Sequence, residues 1–262
     1  NTFSFMWTHP ALQAMDELGA LGLSTFDVIV TPGHLWPSEI ARGGRTQLKQ
    51  DLAGRGFTLD SLNPPATDYN LASLTPNVRQ LALDMYVEII ELAADLEAKA
   101  VVPGRVSSLL PPPRYKLDTV IEDSISQLAL RAAVLGVGLH LEVHPLTPMP
   151  MTRDLLTFVQ KLASPAVGIA YDVANAEFVG EDQASAIAAM GKHLTQIHLS
   201  DATRTRWMHG SFGTGTVDLR SVLNALDAIG YSGSAVFEII SDAPLTDYRD
   251  SIERLNAARA AP

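Results

Sequence analysis

The chain contains no cysteine, which excludes disulfides, thiolate-ligated zinc and thiol nucleophiles at once. Any metal it holds must sit on oxygen and nitrogen. Basic residues are in deficit as well, with 19 Lys and Arg against 29 Asp and Glu and a formal net charge of −10. A protein that grips a nucleic-acid backbone normally presents a basic patch. Nucleic acid is therefore not expected as the partner, and a neutral or modestly charged small molecule fits better. No apolar run approaches the length and purity of a transmembrane helix, so no membrane partner is expected. The opening NTFSFMWTHP lacks the basic start and long apolar stretch of a secretory signal, which leaves the cytoplasm as the default location.

What is present is an ordinary globular composition. Hydrophobic residues make up 47% and charged residues 18% of 262 positions, enough to bury a sizeable core. Strand-like runs alternate with amphipathic helical stretches from one end to the other. The period places strands at 3–7, 26–31, 56–62, 99–104, 137–143, 166–172, 194–200 and 234–240, and its clearest helices at 76–97, 117–135, 219–229 and 246–260. Eight β then α units without a break in composition predict a single (β/α)8 TIM barrel over residues 1–262. The densest Pro and Gly clusters, TPGHLWP at 31–37, SLNPP at 61–65 and LLPPPR at 109–114, follow predicted strands. In a barrel, those loops build the active face.

Four of the later apolar runs each end on one residue able to bind metal: HLEVHP with Glu142, VGIAYDVAN with Asp172, LTQIHLSDA with His198 and SAVFEII with Glu238. A carboxylate inside a segment such as VFEII costs several kcal/mol to bury, on the order of 3 or more, unless it is paired or bound to a cation. Singly, each has a plain alternative. His198 could be a hydrogen-bonded core residue, Asp172 could cap the next helix, and either Glu could face solvent. Independent causes do not easily put all four at equivalent strand ends. Alternation makes His140, Glu142 and His144 the inward set of HLEVH, with Leu141 and Val143 outward. His144 is thus a candidate general base or substrate ligand beside Glu142, or a hydrogen-bonding support for it. An O3N donor set suits a divalent cation, Mn2+ first, with Mg2+, Co2+ and Zn2+ open. Such an ion could hold a carbonyl and an adjacent hydroxyl, acidify the intervening C–H and stabilise the enediolate.

HLEVHP, YDVAN, HLSDATRTRWMHGSFGTGTVD and VFEII together resemble the xylose-isomerase-like TIM barrels, a superfamily of sugar phosphate isomerases and epimerases, hydroxypyruvate isomerase, inosose and dehydroshikimate dehydratases, and AP endonuclease family 2. The resemblance covers nearly the whole chain. It implies that Glu142, Asp172, His198 and Glu238 are metal ligands and that Glu142 and Glu238 are also the acid–base pair. It further implies that Arg204, six residues after His198, contacts substrate, with Arg206 close enough to compete for that role. Two positions depart from the epimerase pattern: Asn175 replaces the histidine of D-x-x-H, and Pro148 replaces a glutamate six residues after Glu142. The implied activity is a metal-dependent isomerase or epimerase acting on a small keto-sugar or polyol. The alternative is a dehydratase or lyase on a keto-sugar, inosose or dehydroshikimate-like substrate, with His144 as base. An endonuclease IV-type enzyme would need a histidine at Asn175 and an aspartate at Trp207, and a non-catalytic sugar-binding subunit would have little reason to keep four costly buried groups.

Further pocket candidates are His209, in HGSFGTG, whose glycines would let backbone approach a ligand, and His34 with Trp36 in TPGHLWP. Arg105 in VVPGR and Trp7 at the end of the first predicted strand complete the set. Each of the last four could equally serve packing or lie on the surface. A homo-oligomer is compatible with the residues, which fix no number.

Overall fold

The computed structural model of the protein describes residues 1–64, 69–104 and 113–260. Seven parallel strands form its central sheet: β1 (Thr25–Ile29), β2 (Thr58–Asn63), β3 (Ala100–Val101), β4 (Gly138–Glu142), β5 (Val167–Asp172), β6 (Leu194–Leu199) and β9 (Ser234–Phe237), hydrogen-bonded in that order. The helices α1 (Ala11–Gly19), α2 (Arg42–Arg55), α3 (Pro76–Asp95), α4 (Arg114–Leu135), α5 (Thr152–Leu162), α6 (Val173–Val179), α7 (Gln183–Met190), α8 (Leu219–Ala228) and α9 (Pro244–Ala260) fall between and after them. This is the expected barrel. Among the described residues no helix is long and apolar enough to cross a membrane.

The alternation read in HLEVH holds. Leu139 and Leu141 of β4 are buried in the apolar shell together with Ile125 and Leu128 of α4 and Leu155 and Val159 of α5, whereas His140 faces Gln196 at 3.4 Å. Burying that shell drives assembly, and glycine lets the helices stop. α4 ends at Gly136, whose φ of +70° is the left-handed conformation that a side chain disfavours. Inside the barrel the residues are unusually polar for a fold whose interior is normally filled by Val, Ile and Leu. Gln196 Nε2 donates to Ser61 Oγ at 2.7 Å and Asn63 Nδ2 donates to Asp27 Oδ2 at 3.2 Å. A barrel that keeps buried polar groups must pair them, and these pairs lie beneath the strand ends where the four candidate ligands sit.

Two elements differ from the sequence expectation. Residues 3–7 do not form a strand, because Phe3–Phe5 is a single turn of 3-10 helix. The barrel is nearly closed instead by Asn1 and Thr2: the Asn1 amino group donates to Phe237 O of β9 at 2.8 Å and the Thr2 N–H to Asp27 O of β1 at 3.1 Å. Beyond Thr2 the chain has passed the strand ends. Turning there lets Ser4 Oγ donate to Ile239 O and accept from Ser241 N, which satisfies backbone that an extended segment would leave unpaired. The second difference follows β6, where an antiparallel hairpin, β7 (Asp201–Thr203) with β8 (Arg206–Gly210), rises where the sequence period places no strand.

Candidate metal centre

Glu142 and Asp172 are the last residues of β4 and β5, His198 is the last but one of β6, and Glu238 directly follows β9. One ligand atom from each of the four lies within 4.8 Å of all the others. His198 Nδ1 is 3.2 Å from Glu142 Oε1, 3.1 Å from Glu238 Oε2 and 4.0 Å from Asp172 Oδ2. His209, two residues after Trp207 on β8, brings its Nδ1 to 3.4 Å from Asp172 Oδ2 and 3.6 Å from Glu238 Oε2. Asp172 divides its oxygens. Oδ1 accepts from Asn175 N at 2.6 Å and so caps α6, while Oδ2 points at the cluster.

The charge in this space is poorly compensated. Burial pushes the Glu142 carboxyl up to about 7, with His198 only partly opposing it. Burial likewise raises Asp172 and Asp27. Glu238 moves the other way, because His198 and His209 outweigh the burial that would raise it. Burial alone would lower both imidazoles, but the carboxylates around them dominate, raising His198 well above its ordinary value and His209 to about 9. Asp172 Oδ2 and Glu238 Oε2 are buried and, among the described residues, accept no hydrogen bond. The raised Glu142 and Asp172 carboxyls and the two orphaned oxygens are groups that a cation would stabilise. Three carboxylates and one imidazole converging there could bind a divalent cation.

The remaining predicted residues divide. His209 joins the cluster. Trp207, 6.2 Å from it between ring centroids, meets His144 edge-on at 5.3 Å and donates through Nε1 to Asn175 Oδ1 at 2.8 Å. His144 Nδ1 accepts from Leu146 N at 3.1 Å. Arg204, two-thirds exposed at the hairpin turn, has its Nε 3.8 Å from Glu177 Oε1, and Arg206 is exposed at the start of β8. His34 is buried with both ring nitrogens engaged, by His9 O and Thr2 Oγ1, and Trp36 stacks on Tyr69. Trp7 is 76% exposed, and Arg105 lies outside the described residues.

Sequence reading missed Asp27 and Asn63, which stand behind His198. The signal was present, since TFDVIV buries a carboxylate in an apolar run just as VFEII does. The glycines of HGSFGTG serve the fold itself. Asp201 Oδ2 accepts from the N–H groups of Gly213 and Gly215, and its Oδ1 accepts from Val217 N. A Cβ on Gly215 would lie 2.2 Å from Ala202 O.

A model of the family described as xylose isomerase-like TIM barrel matches residues 15–258. The chain belongs to that family. Within the xylose isomerase-like barrels it is similar to a ketose 3-epimerase of Arthrobacter globiformis, 30% identical over 123 residues, which is 46% of this chain and 41% of that protein. The match thus spans less than half of that relative. An L-ribulose 3-epimerase of Mesorhizobium japonicum is 25% identical over 249 residues, covering 91% of this chain and 80% of the relative. A solved D-psicose 3-epimerase from Clostridium cellulolyticum H10, with D-tagatose, superposes with a TM-score of 0.83 at 17% identity over 98% of this chain and 96% of that one, which demonstrates the common fold.

Proposed function

We propose that the protein is a divalent-metal-dependent isomerase or epimerase of a small keto-sugar or polyol, working by proton abstraction beside a chelated carbonyl. The observation that carries this reading is the convergence of Glu142, Asp172, His198 and Glu238 within 4.8 Å. The epimerase names of the relatives add to it. When bound, the ion, with Mn2+ first among Mn2+, Mg2+, Co2+ and Zn2+ for so carboxylate-rich a donor set, supplies Lewis acidity toward a carbonyl and its neighbouring hydroxyl.

The chain's own groups move the proton. Glu238 is ionised, and it accepts a proton from the carbon next to the carbonyl. Glu142 returns a proton to the opposite face. Asp172 and His198 act as anchors, and protonated His209 offsets charge left in the cluster. Trp207 and His144 wall the approach from the mouth. The reading carries with it a cytoplasmic location and no membrane or nucleic-acid partner.

The test is incubation with Mn2+ and a panel of ketoses in deuterated water. Deuterium entering substrate and product without loss of water supports isomerisation or epimerisation. Loss of water would assign the same site to elimination, cleavage of an abasic-site duplex would assign it to DNA repair, and no exchange with any ion or ketose would overturn the proposal.

A further inference from the structure

His198 has two ring nitrogens, and the site described so far uses one. Nδ1 faces the candidate ligands, at 3.2 Å from Glu142 and 3.1 Å from Glu238. Nε2 faces the other way, 3.4 Å from Asp27 Oδ2, and both side chains are fully buried. Asp27 is itself held in place: its Oδ2 accepts from Asn63 Nδ2 at 3.2 Å and from Asn1 Nδ2 at 2.9 Å. Neither His198 Nε2 nor Asp27 Oδ1 has a well-aligned hydrogen bond among the described residues. His198 Nε2 thus faces a carboxylate through Oδ2, and the other oxygen of that carboxylate, Oδ1, is also without a partner among the described residues. A buried carboxylate is costly unless something nearby needs its charge, and an imidazole that gives one nitrogen to a cation carries its proton on the other.

We propose that Asp27 is a positioning residue, accepting the Nε2 proton of His198 and thereby fixing the tautomer that presents Nδ1 to the cation. This rests on the metal-centre reading above. The carboxylate also makes the imidazole a stronger donor toward a cation. Asp27 meets the candidate ligands through His198 and, less directly, through Asn1, whose Nδ2 also lies 3.3 Å from Glu238 Oε1, so β1 and β2 support a centre whose ligands all come from β4, β5, β6 and the end of β9.

The test is Asp27→Asn in the full chain, which keeps shape and removes the anionic acceptor. Wild-type and variant proteins are stripped with chelator and titrated with Mn2+, free aqua-Mn2+ being read by electron paramagnetic resonance. Removal of such a supporting carboxylate typically weakens metal binding about 10- to 100-fold. That loss, with the melting temperature of the stripped protein little changed, is the expected result, and a variant that binds Mn2+ as tightly as wild type overturns the proposal. If the variant does not fold, nitrogen-15 spectra of the Zn2+-loaded wild-type protein decide. A His198 ring protonated at Nε2, its proton shifted downfield by an anionic acceptor, supports the proposal, and a ring protonated at Nδ1 overturns it. Failure of the wild-type protein to bind any divalent ion would overturn the metal-centre reading, and this inference with it.

Discussion

Asp172 shows that a structural and a chemical role need not compete. One oxygen caps α6 through Asn175 N and the other points into the cluster, because a carboxylate has two acceptors on opposite sides. Glu238 Oε1 also accepts from Asn1 Nδ2 at 3.3 Å, whereas Glu142, among the described residues, meets only the cluster, so replacing Glu142 should affect chemistry more than stability. Glu142→Gln keeps size and a possible oxygen donor but cannot move a proton. We expect kcat on the best ketose to fall by about 10²- to 10⁴-fold, with a urea unfolding midpoint close to wild type. A variant retaining full activity would remove Glu142 from the mechanism. Asn175 belongs to the same scale. It is fully buried beneath Trp207, and Trp207→Phe, which loses the indole donor, should alter KM among ketoses more than kcat in steady-state assays.

At the scale of elements, the β7–β8 hairpin does what a strand of the barrel could not. It leaves the sheet after β6 and carries Trp207 and His209, two residues apart and hence on one face, back over the strand ends. Its base is held by Asp201, which gathers three backbone N–H groups from the loop that follows. Gly215 allows this packing, since a Cβ there would meet Ala202 O at 2.2 Å. Gly215→Ala must push the loop from the hairpin. We expect a loss of about 1–3 kcal/mol, the usual cost of overpacking, measured by urea denaturation, together with reduced kcat as His209 shifts. Unchanged stability would mean that the loop is looser than its hydrogen bonds indicate.

For the whole molecule, the barrel brings four strand ends to one point, so the cation would act as a cross-link between distant parts of the chain. An ion bound only by the folded state at 100 times its Kd stabilises by about 2.7 kcal/mol, equivalent to about 5–10 °C in Tm for a domain of this size. Chelator should lower Tm by that amount and Mn2+ should restore it, as calorimetry would show. Binding should also depend on pH. A carboxyl whose folded value is raised keeps its proton to higher pH, so protons compete with metal below that value. With Glu142 pushed up to about 7, divalent affinity should be at its full value above pH 7 and fall roughly tenfold per pH unit as pH drops through 7. Titrations between pH 5 and 8 would check this, and a flat profile would exclude Glu142 as a ligand.

The sequence by itself determined the barrel's alternation and the identity of the four candidate ligands. Both depend on local period: two residues per repeat in a strand places Glu142 and His140 inward and Leu141 outward, and an ionisable group in an apolar run marks itself by its burial cost. Asp27 carried that same mark, and only the tertiary structure showed what it faces. The helical turn at Phe3–Phe5, the hairpin, and the pairing of Arg204 with Glu177 were equally out of reach of local pattern. Each is decided by partners far along the chain, Ile239 and Ser241 for Ser4, Gly213 to Val217 for Asp201, Glu177 for Arg204. Local period says which way a side chain points, whereas what it meets there depends on how distant segments close the barrel.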